Sequence, residues 1–281
     1  MALGDATRIN TNIAAFNALA ALKNVNWELE KRQLKLATGL RINEVADDPA
    51  GYVISKRLWA RVRGLMTALD NVGTTKNVLS IAEGGLLNIS NILVTMKEKV
   101  TQAANDTLGS AERNAIKSEL DQLTEEITDI VEETQFNKNV LLDGTYTGRS
   151  FQTGEGTTDT LRFDLIGNHT ATGLGVDSAH VSNLIFTHSG ASIALANVDA
   201  AIETVSDSLQ TIGAIVSRLT VKESTLRIAI TNTEAAKSRI LDADIAYEQL
   251  ESTRLQILQQ TATAQLAQAN VAPQNVLALF Q

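Results

Sequence analysis

A mainly α-helical protein is predicted: a coiled-coil-like helical bundle drawn out into a rod, with both termini at one end and a small β-hairpin region in the middle insert. Three observations predict it. Val198, Ile202, Val205, Leu209, Ile212, Val216, Leu219, Leu226, Ile230 and Ile240 form an apolar ladder that steps alternately by four and three, interrupted only at Glu223, Thr233 and Lys237. Leu58, Val62, Leu65, Leu69, Val72, Leu79, Leu86, Ile89, Leu93, Met96 and Val100 form a second ladder. A repeat of seven keeps one seam turned toward a partner helix and drives left-handed coiled-coil packing. The composition, 44% apolar but only 4% aromatic, suits narrow helix–helix seams better than a thick globular core. The two prolines, Pro49 and Pro273, leave long stretches in which a helix can run unbroken.

The first helix is expected over Ile13 to Thr38, where Leu22, Leu29 and Leu36 recur every seven residues with Val25 between them. Glu28 and Arg32 form an i,i+4 pair in the favourable orientation, worth a few tenths of a kcal/mol. Gly39 is placed to end this helix in the left-handed conformation. A polar connector, Leu40 to Asp47, follows. Asp48 then serves as N-cap with Pro49 at the first helical position, and the restarted helix runs to about Ala104. Gly109 breaks it and Ser110 is the expected cap of the next helix, whose stripe is Ile116, Leu120, Leu123, Ile127 and Ile130. Asp143-Gly144 marks a turn.

From Thr145 to Ser189 the character changes to Gly, Thr and Ser. Leu161, Phe163 and Leu165 alternate as a strand does, and Gly154 and Gly156 sit where a hairpin loop needs them. Asn183 to Thr187 is expected as a further strand, and the whole segment as solvent-facing. After Ile240 the apolar stripe thins to Leu250, Ile257 and Ala264, a seam marginal in water by itself. Ala14, Ala15, Ala18, Ala20 and Ala21 make the N-terminal tip equally thin. These two ends are the candidates for intermolecular contact, because small side chains let helices of different subunits approach closely.

Several chemistries find no support. A net charge of -8 supplies no basic face for nucleic acid. The chain has no cysteine, so disulfides and thiolate metal sites are excluded. No cofactor is expected. His169, His180 and His188 form no H-E-x-x-H pattern and are read as surface residues. Gly154-Glu155-Gly156 is read as a turn rather than a phosphate loop. Asp47, Asp48, Asp242 and Asp244 are read as helix caps and polar packing rather than a metal or acid–base cluster. No basic stretch followed by an apolar run opens the chain, so no cleaved secretory signal is expected, and no run of about 18 apolar residues spans a bilayer. The chain is not expected to be an enzyme.

Many short motifs in order resemble the bacterial flagellins. The run Arg8-Ile9-Asn10-Thr11-Asn12-Ile13-Ala14-Ala15 is similar to the family's opening, and Gly39-Leu40-Arg41-Ile42-Asn43 with Asp47-Asp48-Pro49-Ala50-Gly51 to its connector. Thr134-Gln135-Phe136-Asn137 and Leu141-Leu142-Asp143-Gly144 are similar to the end of its central helix. Ser238-Arg239-Ile240, Asp242-Ala243-Asp244, Gln256 to Gln260, Leu266 to Asn270 and Pro273 to Leu277 are similar to its C-terminal part. The chain departs from the family pattern in its short insert and in closing with Leu279-Phe280-Gln281 rather than Leu-Leu-Arg.

The resemblance implies a structural subunit that polymerises into the helical filament of the bacterial flagellum for motility. A hook–filament junction protein and a soluble coiled-coil adaptor or chaperone are the alternatives. It implies inner-core terminal helices over 1–43 and 241–281, an outer-core rod over 44–144 and 190–240, and the hairpin region over 145–189. The subunit contacts are expected at Ile9, Asn10, Ile13, Phe16, Ile257, Leu266, Val276, Leu277, Leu279 and Phe280, with the connector formed by Gly39, Leu40, Arg41, Ile42, Asp47 and Asp48. Implied partners are further copies of the chain (a homopolymer), a flagellar export chaperone on the C-terminal segment, hook-associated junction proteins and a filament cap. Implied too is secretion to the outside of the cell through the flagellar export channel without a cleaved signal. In members that activate the animal Toll-like receptor for flagellin, the matching helix presents arginine at the position of Thr95 and leucine at that of Lys99, with a glutamate matching Glu119. The substitutions here imply a weak receptor ligand.

Overall fold

The structure is a computed structural model that describes residues 11–163 and 167–278, with side chains described as far as residue 271. Ile9, Asn10, Leu165, Leu279 and Phe280 lie outside the described residues. The elements run α1 (Ile13–Thr38), α2 (Pro49–Ala103), α3 (Ser110–Glu133), β1 (Gln135–Phe136), β2 (Asn139–Val140), β3 (Arg149–Gln152), β4 (Thr160–Phe163), α4 (His188–Leu241) and α5 (Ile245–Ala278). The chain is mainly α, as expected. It forms two compact units, residues 1–60 with 232–281, and residues 61–231.

The second unit carries the core. Val72, Leu79, Leu86, Ile89, Leu93, Met96 and Val100 of α2 are fully buried, as are Leu120 and Ile127 of α3 and Val198 and Val205 of α4. They form one cluster, so the ladders meet each other as their periodicity requires. An 18-residue stretch of α2 reaches a mean hydropathy of 1.4, long and apolar enough by composition to cross a membrane. Its inward side chains belong to this cluster, which accounts for the apolarity without a bilayer. Gly85 lets α2 approach the β1–β2 region closely: a Cβ there would stand 2.6 Å from Thr134 Oγ1 and 2.9 Å from Leu142 Cδ1.

The insert differs from its expected solvent-facing role. β3 and β4 do form an antiparallel hairpin, pairing Arg149 with Phe163 and Gln152 with Thr160, and Phe151 stacks on Phe163 at 4.7 Å. Yet Tyr146, Leu161, Phe163, Ala171, Leu174, Val176, Val181 and Ile185 are all buried in the same cluster as the helices. The insert closes the bundle rather than decorating it. Asn183 to Thr187 is not a strand but part of a series of tight turns, with Asn183 N–H donating to Ser178 O at 3.0 Å and Leu184 N–H to Val181 O at 3.1 Å. Val181 and Ile185, four apart, point inward together as in a helix. A short ribbon, β1 with β2, turns through Asn137 and Lys138 at φ of 50° and 65°.

Two further expectations are corrected. The N-cap of α3 is Gly109, with Ser110 already helical and no side-chain cap bond. The start is secured instead by Arg113, 6% exposed, whose guanidinium donates to the carbonyls of Ile185 (2.7 Å), Asn105 (3.1 Å) and Leu108 (3.4 Å). That one side chain serves the carbonyls of Ile185 and Leu108 and shares Asn105 O with the Leu108 N–H, which donates to it at 3.3 Å. His169 is buried, 2% exposed, not a surface residue. Its Nε2 meets Ser208 Oγ at 2.9 Å while Nδ1 has no hydrogen-bond partner. Burial holds the His169 imidazole below the usual histidine range, against an opposite pull from the carbonyls of Leu142 and Gly167. His180 beside Asp177, and His188 with Nδ1 2.9 Å from Ala104 O, are exposed as expected.

Candidate functional site

In the first unit, α1 and α5 pack antiparallel. Asn12 Nδ2 donates to Ala269 O at 2.7 Å, Gln259 Nε2 to Asn26 Oδ1 at 2.7 Å, and Arg32 Nη1 to Glu248 Oε2 at 2.8 Å. Positions rising along one helix thus pair with positions falling along the other. The Arg32 contact replaces the expected pair with Glu28: the guanidinium reaches across to a carboxylate that is 5% exposed, where the attraction is less screened than along its own helix. Its pKa is raised, chiefly by that hydrogen bond to Glu248.

The seam between these helices is thin and unusually polar. α1 buries only Leu29, with Leu22, Val25 and Leu36 half-buried beside it. α5 buries Leu255 together with Glu248, Glu251 and Ser252. Leu266 is half-buried on the same face. The stripe Leu250, Ile257 and Ala264 expected to form this seam is turned outward instead, with Leu250 63% and Ile257 59% exposed. Charge pairing with Arg32 selects the Glu248 face for burial and leaves the more apolar face of α5 open. On α1 the outward residues include Ile13, Phe16 (65% exposed), Trp27 and Leu34. Lys31 Nζ sits 4.1 Å from the centre of the exposed Trp27 ring. Val276 and Leu277 lie within α5. Each helix is therefore apolar on two sides and covered on one.

The connector is ordered by hydrogen bonds that the motifs foreshadow. Gly39 caps α1 at φ 71° and ψ 8°, its N–H donating to Lys35 O. Arg41 N–H donates to Leu241 O at 2.7 Å, and the Arg41 side chain to Ile240 O through Nε at 3.2 Å and Nη2 at 2.7 Å. Ala243 N–H returns to Gly39 O at 2.9 Å, and Leu40 bridges Asp242. The break between α1 and α2 is thus stitched to the break between α4 and α5. Ile42 is 2% exposed. Asp48 Oδ1 accepts from Gly51 N–H at 2.9 Å, Asp244 Oδ1 caps α5 through Ala246 and Tyr247, and Asp242 Oδ2 accepts from Ser238 Oγ. Asp48 and Asp244 cap helices, while Asp242 packs against the Ser238 hydroxyl and Asp47 Oδ2 accepts from the N–H groups of Asn43 and Glu44 in the connector. Burial raises the Asp47 carboxyl, but the N–H groups of Asn43 and Glu44 with Lys35 and Lys31 outweigh it and hold the carboxyl below its usual range. Among the described residues no three His, Cys, Asp or Glu side chains are grouped to hold a metal ion.

In the second unit, Thr95 Oγ1 donates to Asn91 O at 3.1 Å and Lys99 Nζ lies 2.6 Å from Glu119 Oε1. The three positions singled out for receptor contact are brought to one surface of α2 and α3. The sequence reading missed that Lys99 neutralises Glu119. It also missed Tyr247 and the pair Trp27 and Leu34, seven apart on α1, as exposed apolar residues.

A family profile described as "Bacterial flagellin N-terminal helical region" matches residues 9–147, and one described as "Bacterial flagellin C-terminal helical region" matches residues 195–280. A flagellin of Halalkalibacterium halodurans is 37% identical over 97% of this chain and 99% of its own length. The chain belongs to the bacterial flagellin family. Similar relatives include a flagellin of Bacillus subtilis, 36% identical over 98% of this chain and 100% of its own, and the flagellar filament 33 kDa core protein of Treponema phagedenis, 33% identical over 97% and 99%. Among solved structures, a putative flagellar hook-associated protein from Vibrio parahaemolyticus shares the fold, with a TM-score of 0.59 at 18% identity over 70% of this chain and 100% of that one. As a flagellin, this chain is a structural subunit of the flagellar filament, an extracellular assembly.

Proposed function

We propose that α1 and α5 are the elements through which this flagellin polymerises, contacting further copies through their open apolar faces. The observation that carries the reading is the outward exposure of Phe16, Trp27, Leu250 and Ile257 on a helix pair whose own seam is mostly polar. Covering a large apolar side chain is worth about 1.5–3 kcal/mol, so several per subunit supply ample driving force for assembly. Ile9, Asn10, Ile13, Leu266, Val276, Leu277, Leu279 and Phe280 belong to the same contact. The functional division falls at the two stitched breaks, with 1–43 and 241–281 inside the filament wall and the bundle and insert outside. The subunit carries out no catalysis. Its other partners are an export chaperone that covers α5 before assembly, the hook-associated junction proteins and a filament cap. Export proceeds through the flagellar channel. Deleting Ala262 to Gln281 tests the reading: seeded elongation followed by electron microscopy is abolished while the 61–231 unit stays folded. Normal elongation by the truncated chain overturns it.

A second reading, weak engagement of the flagellin-sensing Toll-like receptor, is favoured by the Lys99–Glu119 ion pair. A partner must displace Lys99 to reach Glu119, and Thr95 offers no planar guanidinium in exchange. Thr95→Arg with Lys99→Leu is expected to raise receptor-reporter potency of the depolymerised protein on the order of 100-fold. Equal potency before and after removes the reading.

A further inference from the structure

The 61–231 unit carries a cationic groove and, on another helix, an acidic face. The hairpin loop and α4 enclose a groove of about 610 Å³ with Leu161 and Leu219 at its base. Arg218 and Lys222 enter it from α4, and neither makes an ion pair among the described residues. The hydroxyls of Thr158, Thr160 and Ser217 line it and make no hydrogen bond among the described residues. The acid in the groove, Asp159, turns Oδ2 back to Gly156 N–H of its own loop at 3.2 Å. Cations, free hydroxyl donors and an apolar base suit a carboxylate-bearing surface.

The same unit carries such a surface. On α3, Glu119 is paired with Lys99 and Asp121 with Lys117, whereas Glu125, Asp129 and Glu132 are exposed and unpaired among the described residues. Glu126 and Glu133 flank them, and the last turn of α3 holds no basic residue. Glu132 and Glu133 in the last turn oppose the helix dipole, and the like charges of Glu125 and Asp129 one turn apart repel, so this cluster favours a facing cation. Glu125 and Asp129 are separated by four residues, as are Arg218 and Lys222, which places each pair about 6 Å apart along its helix. Both patches belong to one compact unit and do not touch within it, so their pairing requires two copies.

We infer that the Arg218–Lys222 groove of one subunit receives the Glu125–Asp129 face of α3 from a neighbouring copy, a contact outside the terminal helices. The inference rests on the filament reading. Two different patches meeting in this way form a heterologous contact, which propagates as an open fibre instead of closing. Such a contact is exposed enough for added salt to weaken it.

Seeded elongation of the full chain, followed by light scattering and electron microscopy, tests it. Arg218→Glu with Lys222→Glu, checked for an unchanged thermal melt, is expected to slow elongation about tenfold or more, and Glu125→Lys with Asp129→Lys similarly. An equimolar mixture of the two variants restores elongation, because each reversed groove then meets a reversed helix face. Wild-type rates from either variant alone, or no recovery in the mixture, overturn the pairing while wild-type growth in the same assay leaves the filament reading intact. Failure of the wild-type chain itself to extend seeds overturns the filament reading instead.

Discussion

The α1–α5 pair and the α2–α3–α4 bundle are written in the same seven-residue grammar, yet they end with opposite surfaces. In the bundle, Leu79, Leu86, Ile89 and Leu93 are shielded completely because helices and insert surround the ladder on every side. In the pair, two helices cover only one face of each other, and Glu248 and Glu251 take positions that leucines hold elsewhere. The bundle covers its own ladders within one chain, although Val221, Ile228 and Ile193 stay exposed on its outer side. The pair leaves Phe16 and Ile257 more than half exposed, the faces that the proposed polymerisation would cover. Apolar periodicity therefore signals burial, but the number of surrounding helices decides whether one molecule or many supply it.

The contrast is broken most severely by placing charge on the open face. Phe16→Asp with Ile257→Asp is expected to cut seeded elongation on the order of 100-fold or more, since each loses apolar burial and brings an unpaired carboxylate into the contact. The same variant leaves the thermal melt of the bundle unchanged; a lowered melt means the residues support the monomer instead. The converse holds inside the bundle. Arg113→Met is expected to destabilise it on the order of 3 kcal/mol in urea unfolding, because the carbonyls of Ile185 and Leu108 lose their donor at once. A loss under about 0.5 kcal/mol shows that water replaces the guanidinium at no cost.

Smaller effects sharpen the comparison. Gly85→Val is expected to cost about 1–3 kcal/mol, since its branches meet Thr134 and Leu142, while Gly84→Ala, one residue away with open space above it, gains up to about 1 kcal/mol. Equal effects at the two positions contradict the close approach. The smallest is a pH effect. The His169 pKa is depressed below 6.5 in the folded chain, so the unfolded chain takes up the proton first. Stability is full above that value and is lost as pH falls through it toward the folded pKa. Denaturation midpoints at pH about 7.5 and about 5.5 should therefore diverge for the wild type and converge for His169→Gln. An unchanged pH dependence in the variant assigns the effect to other groups.

Residues acting through their immediate neighbours were legible in advance. The span of α1, the Gly39 cap, the Asp48–Pro49 restart and the capping aspartates follow from backbone rules that operate over a few positions. So does the inward stripe of each bundle helix, because a strict repeat has one apolar face whatever its partner. Many short motifs in order also carried the family and its filament role.

Tertiary structure decided which of two competing faces is covered. Leu250 and Ile257 looked like a seam and became surface because Arg32 prefers Glu248 across the helix pair to Glu28 on its own helix. His169 and Val181 looked like loop surface and became core because the insert folds back onto α4 and the bundle. Arg113 carries a charge and is buried because the Ile185 carbonyl, distant in sequence, joins those of Asn105 and Leu108 around it. Local propensity is a property of a stretch of chain and is visible in it. Burial, ion-pair choice and the charge separation between groove and α3 depend on what arrives from elsewhere, which only the folded chain brings together.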